Sequence, residues 1–287
     1  MLHGMAAVFH NAMEQYGGEH VRVPLATYIS HHVTPLLTFR ASPVPSGALL
    51  SATAQLTLLL AGGCVDSGLD RTAQHYLQVA SRLAHDAADP TTLAIALRSM
   101  VAHAYERGHH GPTVLALAQK AAAIASDTAP AVQAYTQAQL AVILAHHDRS
   151  AALVALAHAT RFHSLAEAAS GPFGSYPPGA LHFQRARVFL AMGDTAAGIR
   201  ALTASLHLRT PFEHRATVLT HAYLAEAHLR LGHVEPTVRH CLALLDGITT
   251  LHSARASDRL RSLRVGLHPH ARQADVAEFL NASERFV

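Results

Sequence analysis

The sequence predicts an all-α protein built as an array of antiparallel helix pairs, an α-solenoid. Three observations lead there. Ala, Leu and Arg are abundant, β-branched runs are scarce, and apolar residues recur at steps of three and four, the period of amphipathic helices. A turn-like signature returns about every forty residues, the mark of stacked repeats rather than of a single globular core. Half of the 287 residues are hydrophobic and only 14 % are charged, so each helix pair has ample apolar surface to bury against its neighbours.

In chain order, residues 1–47 read as an N-terminal helical cap that ends in the Pro-rich "ASPVPSG" (41–47). Residues 48–168 hold repeats one to three. Repeat one contains "LAGGCVDSGLDRTAQHYLQVA" (60–80), with Gly68 as its turn and Ala73, Leu77 and Ala80 following. Repeat two, "MVAHAYERGHHGPTVLALAQKA" (100–121), has its turn at Gly108, but its second helix fits only with a slip. Repeat three, "QLAVILAHHDRSAALVALAHA" (139–159), puts His147 in the turn, then Ala152, Leu156 and Ala159.

"ASGPFGSYPPG" (169–179) is the densest Pro/Gly stretch and reads as a break or hinge. Repeats four and five occupy 180–250. "RARVFLAMGDTAAGIRALTAS" (185–205) has its turn at Gly193 and then Gly198, Leu202 and Ser205. "LAEAHLRLGHVEPTVRHCLALL" (224–245) has its turn at Gly232, then Thr237, Cys241 and Leu244. Residues 251–287 read as a pair of C-terminal capping helices broken at Pro269.

The last of these segments resembles the core of a tetratricopeptide repeat, and the others fit the same template. The resemblance implies a right-handed superhelix. Turn slots at 68, 108, 147, 193 and 232 lie 40, 39, 46 and 39 residues apart, longer than the plain repeat of about 34. Small residues at the fixed offsets let paired helices approach closely, and glycine permits the turn.

"EQYGGEHV" (14–21), "LAGGCVDSGLDRTAQHYLQVASRLAHDAAD" (60–89) and "LHSARASDRLRSLRVGL" (251–267) occur in this order. Together they resemble the C-terminal sensor region of actinobacterial XRE-type helix-turn-helix regulators, over nearly all of residues 10–286. That resemblance implies a tetratricopeptide-like sensor that binds a ligand, peptide or partner and is linked to transcriptional regulation. Residues 1–47 lack a plausible helix-turn-helix, and the formal charge is only +3, so direct nucleic-acid binding is not expected.

The template assigns the concave groove to the first helix of each pair. It places Arg98 and Tyr105 there from repeat two, Gln137 from repeat three, Phe183, Gln184 and Arg187 from repeat four, and Tyr223, Glu226 and Arg230 from repeat five. An apolar floor with arginine and amide donors suits a peptide or amphipathic segment. The expected role is a non-enzymatic sensor or adaptor taking a peptide, small signal or partner protein. The rivals are a dimerising or docking scaffold without a small ligand, with a homodimer as one form, and a histidine-rich metal-binding protein or enzyme.

No catalytic, cofactor or metal constellation stands out. Glycine patterns for phosphate binding, GxSxG, HExxH and CxxC are all missing, and Cys64 and Cys241 read as buried thiols of a reducing cytoplasm. The 24 histidines follow a composition biased toward Ala, Leu and Arg, with Lys120 the only lysine. His31-His32, His109-His110, His146-His147 and His268-His270 therefore read as neutral positions, although stacking would bring the two turn pairs near each other. The set Arg255, Arg259, Arg261 and Arg264 reads as a solvated cap face. No signal peptide is read at the N-terminus, and "ALLSATAQLTLLLAGGCV" (48–65) reads as a buried helix rather than a membrane span, so a cytoplasmic protein is expected.

Overall fold

Four of the five turn slots are glycines in the left-handed region, Gly68, Gly108, Gly193 and Gly232, with φ between +71° and +81°. Each closes its helix with the same paired bonds. At Gly68 its own N–H donates to the Val65 carbonyl and the Leu69 N–H donates back to Cys64. The orphan carbonyls of the helix end are thereby satisfied, and an L side chain at that φ would be strained. His147 fills the fifth slot without a positive φ. There the helix unwinds through three turn residues, and Asp148 restarts the chain by accepting the N–H groups of Ser150 and Ala151.

These turns organise a computed structural model that describes residues 2–38, 46–167 and 173–286. The described residues are helical almost throughout and contain no strand. The helices are α1 (Leu2–Tyr16), α2 (Gly18–Tyr28), α3 (Thr34–Thr38), α4 (Gly47–Asp66), α5 (Asp70–Asp86), α6 (Pro90–Glu106), α7 (Pro112–Ile124) and α8 (Pro130–Leu144). They continue with α9 (Arg149–Ser164), α10 (Pro178–Ala191), α11 (Thr195–His207), α12 (His214–Arg230), α13 (Val234–Ile248), α14 (Ala254–Leu267) and α15 (Ala274–Ala282). α4 to α13 pack as five successive antiparallel pairs, so the fold is an all-α solenoid as expected. Proline stands at the first turn of α6, α7, α8 and α10, where its missing N–H costs nothing.

The small slots are the crossings. Ala73, Ala80, Ala152 and Ala159 are fully buried, as are Thr237 and Cys241. A Cβ on Gly198 would lie 2.7 Å from Leu190 Cδ2, so a larger residue there would force the Leu190 side chain to move. Repeat two is displaced by one residue: Ala118 and Ala121 are buried while Leu117 and Lys120 are not. The cause is the longer turn, His109–Gly111, that precedes Pro112.

α4 is 20 residues long, with a mean hydropathy of 1.7 in its most apolar window, which is long and apolar enough to cross a membrane by composition alone. Here it is the first helix of pair one, and most of that window is buried against its neighbours. The ends of the cap and break segments, 39–45 and 168–172, lie outside the described residues. The described part of the expected hinge is not a free linker: Phe173 packs with α1 and repeat one, and Tyr176 is buried against Tyr135 and His163.

One expectation is overturned by the way the array ends. The concave groove assigned to the first helices is not left open along its length. Instead α1 touches both α4 and α12, and α4 touches α14. Asp66, at the end of α4, accepts from the Gly18 N–H at 2.7 Å and the Ser253 hydroxyl at 2.8 Å. The Glu19 N–H donates to the His252 carbonyl, and the His252 N–H to that of Tyr16. Gly17, at φ +89°, lies so close to His252 that an added Cβ would be 2.3 Å from its carbonyl oxygen. Glu14 pairs with Arg215 of α12 at 2.5 Å. The three quoted motifs "EQYGG", "CVDSG" and "LHSAR" meet in this one junction, which joins the start of the array to its end.

Candidate functional site

Closure turns the first helices inward around a carboxylate that the sequence did not single out. Glu106 is the last residue of α6, where the chain is about to turn at Gly108. It receives Arg187 of α10 at 2.6 Å, and Arg255 and Arg259 of α14 at 2.8 and 3.3 Å. The Tyr223 hydroxyl of α12 lies 3.2 Å from both of its oxygens. Burial favours the neutral acid, but the three guanidinium groups overcome it and hold the Glu106 carboxyl well down, to about 2. Arg259 spans two carboxylates: its Nη1 bonds both oxygens of Glu226 at 2.6 and 2.8 Å, and its guanidinium lies 3.8 Å over the Tyr223 ring.

Beside this network is a cavity of about 430 Å³. Tyr105, Arg187, Tyr223, Glu226 and Arg230, all expected groove residues, line it together with Glu106, Arg259, His110 and His146. Leu190, Ala191 and Ala227 give it an apolar wall. Arg187 stands 4.6 Å over the Tyr105 ring and is 6 % exposed, and its Nε lacks a partner. The buried Tyr105 phenol is pushed above its ordinary value by desolvation, which keeps it neutral and able to donate.

The other expected residues stand apart from the cavity. Phe183 meets the Tyr223 ring edge-on at 4.9 Å and supports it from behind. Gln184 is buried and bonds Gln139 at 3.4 Å. Arg98 lies 3.9 Å over the Tyr135 ring, one level away along the interior. Gln137 is half-buried on α8 and does not join them, while its neighbour Gln139 faces inward. The solvated-cap reading of the arginine set fails for two members, because Arg255 and Arg259 turn into the Glu106 network. Arg261 remains exposed beside Asp258, and Arg264 closes the end of α15 through Ser283 and the Leu280 carbonyl.

The histidines divide as well. His110 stacks on His146 at 4.0 Å, so the two turn pairs are neighbours, and both rings edge the cavity rather than forming a separate surface. His146 Nε2 is 3.2 Å from the Tyr105 hydroxyl. On the other side of α12, His221 and His240 place their Nδ1 atoms 3.1 Å apart, and His228 stacks on His240. Desolvation lowers all three, His240 to about 4, so the rings are neutral near pH 7 and one N–H donates to its neighbour. Among the described residues no three His, Cys, Asp or Glu side chains converge as a metal ion would require. Cys64 and Cys241 are buried free thiols, and desolvation raises Cys241 to about 12.

The fold and site thus define an α-solenoid whose interior carries a polar, arginine-rich cavity. No family model matches the chain, and no curated protein matches it. It is similar to the crystal structure of BtubC (BKLC) from P. vanneervenii, with a TM-score of 0.49 and 15 % identity over 89 % of this chain and 95 % of that one.

Proposed function

We propose that this chain is a non-enzymatic regulatory sensor that holds a small ligand or a short chain end in its central cavity. The observation that carries the reading is convergence: helices from repeats two, four and five and the capping helix α14 all send polar or aromatic side chains to one cavity of about 430 Å³. That volume suits a small molecule rather than an extended peptide. Tyrosine and arginine are the side chains that most often carry binding energy in a desolvated site. The resemblance to XRE-type sensor regions supports a role in transcriptional regulation in the cytoplasm. A ligand held by four helices at once would alter how tightly the closed array packs, and a DNA-binding partner or domain would read that change.

Native mass spectrometry of protein purified from its source cells tests the reading. A co-purified small molecule that is lost in Ala191→Trp, a variant that fills the cavity wall, is the expected result. Ligand-free protein, with a melting curve that no cell extract shifts, would retire it. Arg187→Ala is not a clean probe, because Arg187 also anchors Glu106.

A further inference from the structure

We propose that the cavity is built for a small organic anion, with Glu106 acting as a resident counter-ion that keeps the arginines ordered until an external oxyanion joins them. The proposal rests on the reading of the cavity as a ligand site and adds the ligand's class. Charge is the first support. Arg187, Arg230 and Arg259 line the wall against Glu106 and Glu226, so three positive groups face two negative ones and the lining carries a surplus of one, with Arg255 behind Glu106. In a partly desolvated cavity such a surplus acts far more strongly than on an open surface.

Donor supply is the second support, and it is independent of the charge count. Arg187 is 6 % exposed and already spent: its Nη2 bonds Glu106 at 2.6 Å, and its Nε is buried, without an acceptor among the described residues and out of reach of the cavity. Arg230 is exposed at the rim and forms no ion pair among the described residues. Acceptors are committed, by contrast. Glu106 already serves three arginines and a phenol, and Glu226 is taken by both bonds from Arg259. A cation would find no free carboxylate here. An anion would find an unspent, exposed donor at Arg230, with the Arg187 guanidinium close by in the wall. The wall of Leu190, Ala191 and Ala227 asks that the anion carry an apolar body.

Four probes of one shape separate the classes: benzoate, phenyl phosphate, benzamide and benzamidine. Each is titrated into the full chain at constant ionic strength, with calorimetry and thermal melting as readouts. Saturable binding of benzoate or phenyl phosphate is expected, and whichever is stronger tells a carboxylate site from a phosphate site. Arg230→Glu should weaken it by at least about tenfold without altering the unliganded melt, because Arg230 is exposed. Glu106→Gln should bind the anion more tightly and recover lost stability when it is added; if that variant does not fold, Arg230→Glu and Arg230→Gln carry the test. Equal anion effects in wild type and Arg230→Glu would overturn the proposal as a surface salt effect. Benzamide or benzamidine binding that Ala191→Trp abolishes would overturn the anion and leave the cavity as a ligand site. Failure of all four probes overturns the anion class alone if a co-purified ligand is found, and both readings if none is.

Discussion

α12 carries two clusters of ionisable side chains on opposite sides, and they solve the same problem in opposite ways. On its inner side Tyr223 and Glu226 join the Glu106 network, where the buried Glu106 stays charged because guanidinium groups surround it. On its other side His221 and His228 meet His240, where every group stays neutral because nothing nearby compensates a proton. Burial penalises charge in both places. The company a buried group keeps, rather than its own chemistry, decides whether it ionises.

The largest expected effect breaks the first cluster. Glu106→Ala leaves three arginines with one fewer carboxylate in a desolvated site and should cost roughly 3–5 kcal/mol, read by denaturant unfolding. A loss under about 1 kcal/mol would mean that water screens the network and that the contrast with the histidines is false. Next comes packing away from both clusters. Ala152 is fully buried at the α8–α9 crossing, so Ala152→Leu should overpack it by about 1–3 kcal/mol. An unchanged melting curve would remove Ala152 from the crossing.

Acid should take the clusters apart in sequence. His221, His228 and His240 titrate below 6.5 when folded, His240 near 4, so the unfolded chain binds their protons first. Their contribution is therefore complete above pH ~6.5 and drains as pH falls toward 4. Glu106 has a folded value of about 2 against an ordinary 4.5, so its contribution persists through that window and is lost only between about 4.5 and 2. Unfolding free energies at pH 7, 5.5 and 4 should fall in wild type and fall less in a His228→Asn/His240→Asn variant. Identical slopes would show that the histidine line is not what acid disrupts.

Two small effects complete the comparison. His109→Ala, at an exposed turn, should change stability by less than about 0.5 kcal/mol by melting. Because Arg255 and Arg259 face inward, duplex DNA should be bound no better than roughly micromolar at physiological salt. Nanomolar binding in a mobility shift would require an arginine surface other than the one described.

What the residues disclosed in advance was local. A glycine in a left-handed turn and an alanine at a crossing are dictated within a dozen positions, so Gly68, Ala73, Ala152 and Thr237 were legible. The slip in repeat two was visible, but its cause, the longer turn before Pro112, was not. The Glu106 network could not be read this way, because its partners lie 81, 117 and 153 residues away. Arg255 and Arg259 share a helix face with the pattern of a solvated stripe, and only the position of α14 beside the interior makes that face a wall. Gln137 and Gln139 differ by half a turn of α8, a distinction the degenerate template does not make.

The junction at Gly17, Asp66 and Ser253 also ties the fold to the number of its repeats. In an open solenoid a repeat can be duplicated or dropped, and the terminal pair simply moves along. Here the tip of pair one must meet the entry to α14, and α1 must reach Arg215 in pair five. Gaining or losing forty residues would swing those partners apart by a whole repeat, leaving Asp66 buried without its hydroxyl and amide. The array therefore counts: five pairs are what bring Asp66 to Ser253 and Glu14 to Arg215.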